Sequence, residues 1–221
     1  MSARQVVIIG LCGGSASGKS SLADLLQTLL PPGTAVLRQD WYYHDCSHLT
    51  ADQRARQNFD HPVAIDLQAF AADLQQLRAG QAIQAPEYCF RTHTSHAGKR
   101  QLAPASIVIA EGLFLYNNLS LNAIYDLKVF IHADSDLRLL RRMQRDIVQR
   151  GRSLDSVSTQ YLETVKPMHD QHVEPNKQEA DLVINPTNLE QLADCADTIA
   201  SHIRQLTGKA GEPSPRSRSA G

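Results

Sequence analysis

Gly13-Gly14-Ser15-Ala16-Ser17-Gly18-Lys19-Ser20 narrows the choice of folds more than any other segment of the chain. It fits the pattern Gly, four residues, Gly, Lys, then Ser or Thr. It stands between an apolar run, Val6-Val7-Ile8-Ile9, and a stretch with Leu22, Leu25, Leu26, Leu29 and Leu30 at helical spacing. A buried strand that passes through a glycine-rich turn into a helix makes a cradle for phosphate. The glycines let successive amide N–H groups turn toward one point, and the helix dipole adds positive potential there. Lys19 supplies a cation for the β and γ phosphates, and the Ser20 hydroxyl is a ligand for Mg²⁺. A nucleoside triphosphate site is therefore expected over residues 13–21, Ser21 included.

The apolar segments predict the architecture around that loop. Val6 to Ile9, Ala35 to Leu37, Ile107 to Ala110, Leu127 to Ile131 and Asp181 to Ile184 read as strands, mostly without polar alternation, as in a sheet covered on both faces. Helices are expected over 21–30, 66–79, 135–150, 156–165 and 188–206, giving an α/β fold with a parallel sheet of about five strands. Residues 41–60 are polar and irregular and read as surface helix and loop. Residues 81–103, with Pro86 and Gly98, read as a small β-hairpin insert, and about 141–165 as an arginine-rich lid. One domain is expected over 1–207, with a disordered Gly, Ser, Pro and Arg tail over 208–221.

Composition removes other classes. With 22 basic against 23 acidic residues, a net charge of -1 leaves no global field to attract polyanions, so no nucleic-acid or membrane-surface partner is expected. Cys12, Cys46, Cys89 and Cys195 form no Cys-x-x-Cys pair and read as reduced thiols. The run Val6 to Cys12 is too short to span a bilayer, and a cytoplasmic protein is expected. His44, Cys46 and His48 lie close together, as do His169 and His172, and their histidines are expected to face solvent rather than to hold a metal.

Ligands of parallel sheets gather at the carboxyl ends of the strands. Asp40 follows the second strand and Glu111 the strand from Ile107, where each can orient a hydroxyl, take its proton or hold Mg²⁺; Gly112 after Glu111 reads as a permissive turn residue. Between 138 and 152 stand six arginines, Arg138, Arg141, Arg142, Arg145, Arg150 and Arg152, against the single acid Asp146. Guanidinium groups clamp phosphate oxygens and neutralise charge on a transferring phosphoryl group. Asn176-Lys177-Gln178-Glu179 follows Pro175 and ends in Glu, so no guanine-reading switch is expected.

These residues together resemble the uridine kinase (uridine-cytidine kinase) family of P-loop kinases. The segments that carry the resemblance are GGSASGKS, QDWYY (39–43), NFDHPVAID (58–66), PEYCFRTH (86–93), IAEGLF (109–114), RRMQRDIVQRGR (141–152), QYLETVKPM (160–168) and EADLVIN (179–185), in family order. The resemblance implies transfer of the γ-phosphate of ATP or GTP, with Mg²⁺, to the 5′-hydroxyl of uridine or cytidine, by a homotetramer. It implies Asp40 as the base and Ser20, Asp40 and Glu111 as the metal shell. It implies Asp60 with Arg142 on the ribose diol, Tyr88 and His93 as readers of the pyrimidine, and Phe59 and Phe90 as its walls. Arg152 and Gln160 fall at further base contacts, and Lys19, Arg145 and Arg150 on the phosphates. The chain departs from the family's usual residues at Trp41, Cys89 and Ser95. Two alternatives stay open: a related kinase of the phosphoribulokinase or pantothenate kinase kind, and a nucleotide-binding regulatory switch.

Overall fold

The computed structural model describes residues 6–117 and 122–209. Its strands are β1 (Val7–Gly13), β2 (Ala35–Arg38), β3 (Ile83–Cys89), β4 (Thr94–Leu102), β5 (Ile107–Gly112), β6 (Leu127–Ile131) and β7 (Leu182–Ile184). Five of them form a parallel sheet in the order β2-β5-β1-β6-β7. β3 and β4 pair antiparallel as a separate hairpin. The register shifts between Ala85 and Glu87, on either side of Pro86, which has no N–H to give to the ladder.

The unbroken apolar runs have a direct cause, since each face of the sheet is covered. On one face Val7, Ile9 and Leu11 of β1, with Ile107, Ile109, Val129 and Ile131, pack on α1 (Lys19–Leu29) and the last helix (Leu189–Lys209). On the other, Ile8 and Cys12 pack with Val108, Ala110 and Phe130. There they meet Phe70, Leu74 and Leu77 of the helix Leu67–Arg78 and Ile83, Ala85 and Tyr88 of the hairpin. That helix starts at Asp66, whose side chain accepts from Ala69 N at 2.9 Å. The four cysteines are free thiols.

Three expectations need correction. Residues 41–60 are not all surface. Tyr42 and Tyr43 are buried in the core, and Tyr43 bridges to Ile65, although the short helix Ala51–Ala55 is present. The helix expected over 156–165 begins earlier, at Leu154, and its α-helical part ends at Gln160. Helical chain then continues to Glu179 through π turns at Tyr161–Val165 and His169–Val173, on either side of a short α turn that holds Pro167. Widened turns accommodate a proline that an uninterrupted α-helix would reject. The last helix runs through Gly208 to Lys209, two residues into the expected tail; the rest of that tail, 210–221, lies outside the described residues.

At the centre of the sheet Gly10 faces two rings. A Cβ there would lie 2.9 Å from Tyr116 Cε1 and 3.0 Å from Tyr125 Cδ1, while Tyr116 Oη donates to Gly10 O at 2.7 Å. Gly10→Ala should lower the unfolding free energy by about 1–3 kcal/mol, the usual cost of overpacking a core. Urea denaturation followed by far-UV circular dichroism measures this; an unchanged midpoint would show that the rings yield freely.

Candidate active site

The loop after β1 is held by close approach on both sides. At Gly13 (φ 155°) a Cβ would lie 2.4 Å from Ile131 O, and Gly18 takes φ 108° at the start of α1. Ser17 N donates to Gly14 O at 3.1 Å, which closes the turn. Lys19 is buried, its Nζ donating to Gly14 O at 2.9 Å. The loop therefore carries its own cation on one of its own carbonyls.

Two carboxylates meet at this end of the sheet. Glu111, the penultimate residue of β5, is buried and accepts from Ser20 Oγ at 2.8 Å and from Arg38 Nη1 at 3.2 Å. Burial lifts its carboxyl above the ordinary range; Lys19 pulls the other way and the neighbouring Asp40 adds to the lift. Asp40 sits in the 3-10 turn Gln39–Tyr42 that follows β2. Gln39 fixes that turn. Its side chain is buried, its Oε1 accepts from Phe114 N at 3.0 Å, and it lies where a Cβ on Gly112 would be, at 2.5 Å. Gly112 is thus needed for space, not for the turn freedom read from the sequence. One hydroxyl and two adjacent carboxylates are a hard-oxygen set suited to Mg²⁺. Among the described residues no group of three His, Cys, Asp or Glu could hold a metal, so phosphate oxygens or water would complete such a shell.

Beyond Asp40 lies an aromatic pocket. Tyr43 packs against Phe59, Tyr88 and Phe90, with ring centroids 6.2, 5.1 and 6.0 Å away. Tyr88 Oη and His93 Nδ1 are 2.9 Å apart, and His93, at φ 55°, stacks on Phe59 at 4.3 Å. Because those two rings touch, a planar ligand cannot slot between them and must lie against another wall. Burial, followed by Arg54, Arg150 and Arg152, pushes the His93 pKa below its ordinary value and keeps the ring neutral. Asp60 is buried, accepts from Thr164 Oγ1 at 3.0 Å and lies 3.8 Å from Arg142 Nη1. Burial raises its pKa against the pull of Arg142 and Thr164.

The arginine-rich segment expected as a lid lies against both parts. On the helix Ser135–Arg150, Asp146 is completely buried and gathers four guanidiniums: Arg145 Nε at 2.9 Å, Arg150 Nη1 at 3.4 Å, and Arg142 Nε and Arg152 Nη1 both at 3.6 Å. Burial alone would raise its pKa, but Arg145, Arg150 and Arg142 outweigh it and hold the carboxyl below its ordinary value. Arg142 also donates to Ser15 Oγ and to Gln160 Oε1, both at 2.9 Å, and Arg152 donates to the same Gln160 oxygen. Arg150 lies 4.3 Å over the Phe90 ring.

The loop, the acidic turn, the aromatic pocket and the four arginines around Asp146 line one cavity of about 1590 Å³; Asp146, Arg38 and Gln39 are not in its lining. It collects residues 15–21 of the loop, Asp40, Glu111, Asp60, Phe59, Tyr88, Phe90, His93, Arg142, Arg145, Arg150, Arg152 and Gln160. Gly13 and Gly14 lie behind it. A match to the Phosphoribulokinase / Uridine kinase family spans residues 8–193. The chain belongs to that family. A uridine kinase of Staphylococcus aureus (strain JH9) is 39% identical over 207 residues, which cover 93% of this chain and 99% of the relative. The phosphoribulokinase structure from Rhodobacter spheroides shares the fold, with a TM-score of 0.63 at 16% identity over 83% of this chain and 71% of the other. The chain is a kinase, a phosphotransferase with an alcohol as acceptor.

Sequence reasoning gave no role to four residues of this candidate site. Tyr43 is the inner wall of the aromatic pocket; only its place in the Gln39–Tyr43 segment marked it. Arg38 pairs with Glu111 and, at 2.5 Å, with Asp24. Thr164 reaches Asp60 only because the π turn carries it there. Asp146, counted as the lone acid among arginines, is their common partner. His169 was expected at the surface, but it is buried behind the loop. Asn176 is no base reader either: it is buried and bonds Tyr116 N, His172 O and Val173 O. At the departures from the family pattern, Trp41 lies 4.7 Å under Arg100, which pairs with Glu87, and Ser95 N donates to Asp45 Oδ1 at 2.9 Å. A hydrogen bond from Thr92 lowers the Cys89 thiol pKa.

Asp146→Asn should cost about 3 kcal/mol of stability at pH 7, because it leaves clustered cations without their anion. The lowered pKa sets the sign of the pH dependence: the contribution is present above the unfolded carboxyl value of 3.8 and is lost as pH falls through the folded one. The difference between urea melts of the two proteins should therefore hold from pH 7 down to the unfolded value and shrink as pH falls below 3.8 toward pH 2. Parallel curves would exclude Asp146 as the source.

Proposed function

We propose that the chain is a nucleoside kinase that transfers the γ-phosphate of ATP or GTP to the 5′-hydroxyl of uridine or cytidine, in pyrimidine salvage. The observation that carries the reading is the continuity of the cavity. A phosphate loop at one end, an aromatic and carboxylate pocket at the other, and Asp40 at the join form one space of about 1590 Å³. The Staphylococcus aureus relative, named as a uridine kinase, supports the same substrate class.

In this reading the amides of Gly13 to Ser21 hold the donor phosphates, and Lys19 leaves the Gly14 carbonyl to meet them. Ser20, Asp40 and Glu111 supply oxygen ligands for Mg²⁺, which when bound would neutralise charge on the β and γ phosphates. Asp40 accepts the proton of the 5′-hydroxyl as its oxygen attacks the γ-phosphorus and the bond to the leaving nucleoside diphosphate breaks. Arg145 and Arg150 lie where they can balance charge on the transferring group. Asp60, with Arg142, suits a vicinal diol, since a carboxylate presents two acceptor oxygens and would be left unpaired by deoxyribose. Tyr88 and His93 read the pyrimidine edge. Phe59, Phe90 and Tyr43 wall it, and Arg152 and Gln160 close over it.

A homotetrameric assembly and a cytoplasmic setting go with this reading through the family resemblance, and the single domain expected over 1–207 extends to the end of the last helix at Lys209. Among the described residues no helix is long and apolar enough to cross a membrane.

Phosphate release to each acceptor is the direct test. Uridine, cytidine, deoxyuridine and adenosine are offered with ATP, and the products are weighed by mass spectrometry. Uridine and cytidine should each gain one phosphate; turnover raised by none of the four would sink the reading. Asp40→Asn should lower kcat by two to four powers of ten, roughly the contribution of a general base, while nucleotide affinity persists. The His93 pair yields a second expectation. Neutral imidazole can accept from the cytosine amine or donate to the uracil carbonyl, whereas imidazolium only donates. Because burial and nearby arginines favour the neutral form, both nucleosides should react at pH 7.5. As pH falls through the lowered pKa, kcat/KM for cytidine should drop relative to uridine. An unchanged ratio of the two kcat/KM values in His93→Phe would remove His93 from base reading.

A further inference from the structure

Arg138 is the one guanidinium of the arginine-rich helix that is buried and has no carboxylate within 4 Å among the described residues. Arg142, Arg145, Arg150 and Arg152 share Asp146, while Arg141 is partly exposed and donates to Thr187 O. Arg138 Nε donates to Ala133 O at 3.0 Å, and its Nη1 has no hydrogen-bond partner. Its head lies against the back of the phosphate loop. A Cβ on Gly14 would be 2.8 Å from Arg138 Nη1 and 3.0 Å from its Cδ. His169 is the other neighbour there, with Cε1 3.0 Å from the same point. Burial and Arg138 together press the His169 pKa down to about 4, so the ring brings no charge at neutral pH. Glu174 meets that ring at Nε2, 3.2 Å away, and also lies 3.6 Å from Lys177. Neither Arg138 nor His169 lines the cavity.

A buried cation without an anion is unfavourable until a counter-charge arrives. The loop offers one position for it: phosphates held by its amides, with the Gly14 peptide between them and the guanidinium. We propose that Arg138 is a positioning residue, a fixed positive pole under the phosphate loop that sets the affinity for the donor's phosphates without touching them. The inference deepens the reading of residues 13–21 as the donor site and rests on it. Gly14 is glycine, on this account, because any side chain would lift the loop off that pole.

The test is binding by calorimetry of ATP, AMP, inorganic triphosphate and adenosine to the intact chain and to Arg138→Met and Arg138→Lys, with thermal melts with and without ATP. For Arg138→Met, the dissociation constants for ATP and triphosphate should rise about ten- to a hundredfold, the effect of one cation several ångströms away at an effective dielectric near 20. AMP should lose less and adenosine nothing. The uridine KM should stay, and the ATP-induced shift in Tm should shrink although the ligand-free Tm does not fall. Arg138→Lys should keep most of the ATP affinity. Arg138→Gln retains a donor for the Ala133 carbonyl and gives the same comparison if the methionine variant melts early. Equal losses for methionine and lysine, or a ligand-free Tm that drops while the ATP-induced shift survives, would make Arg138 a packing residue and overturn the proposal. If the unaltered chain binds neither ATP nor triphosphate, the donor-site reading itself falls, an outcome distinct from either.

Discussion

The site depends on how tightly the end of the central strand is enclosed. β1 lies between β5 and β6, covered on both faces, and it delivers Gly13 against the Ile131 carbonyl and Gly14 against Arg138. No side chain fits at either position. The loop is therefore shaped by its surroundings before any ligand arrives, because the backbone has nowhere else to go. The same parallel register brings Glu111 and Asp40 to the same edge of the sheet, since strands paired in parallel end their chemistry on one side.

Against this edge the arginine-rich segment gathers its charges around one carboxylate. Asp146 holds four guanidiniums within 3.6 Å, and two of them also reach Gln160, while Arg142 reaches Ser15 in the loop. A polyphosphate in the cavity would compete with one internal carboxylate for the same donors. Such an arrangement keeps cationic side chains gathered and oriented without ligand, so less ordering remains to be done on binding. The helix that carries them continues into π turns, which bring Thr164 to Asp60 and let the chain pass Pro167.

Much of this was legible beforehand, for physical reasons. Continuous β-branched runs announce strands covered on both sides, and the glycine pattern that follows the first of them announces a tight strand-to-helix loop; both depend on neighbours along the chain. Tyr42 and Tyr43 were misread because a buried stretch of two residues in a polar segment has no period to detect. Asp146 and Thr164 were invisible as site members because their partners come from tertiary packing, or from a turn type that spacing does not encode. Gly112 was noticed for the wrong reason: backbone freedom and lack of room look alike in a sequence, and only Gln39 lying on it tells them apart. His169 likewise looked like a surface residue until the helix carrying it was found folded under the loop.

Trp41 follows Asp40 directly and stacks under Arg100 of the hairpin, whose partner Glu87 is one residue from Tyr88. It is also the only indole in the chain. The tryptophan emission of this protein therefore originates at the contact between the acidic turn and the hairpin. Without any attached dye, the light it gives off is a local gauge of whether those two parts stay in register.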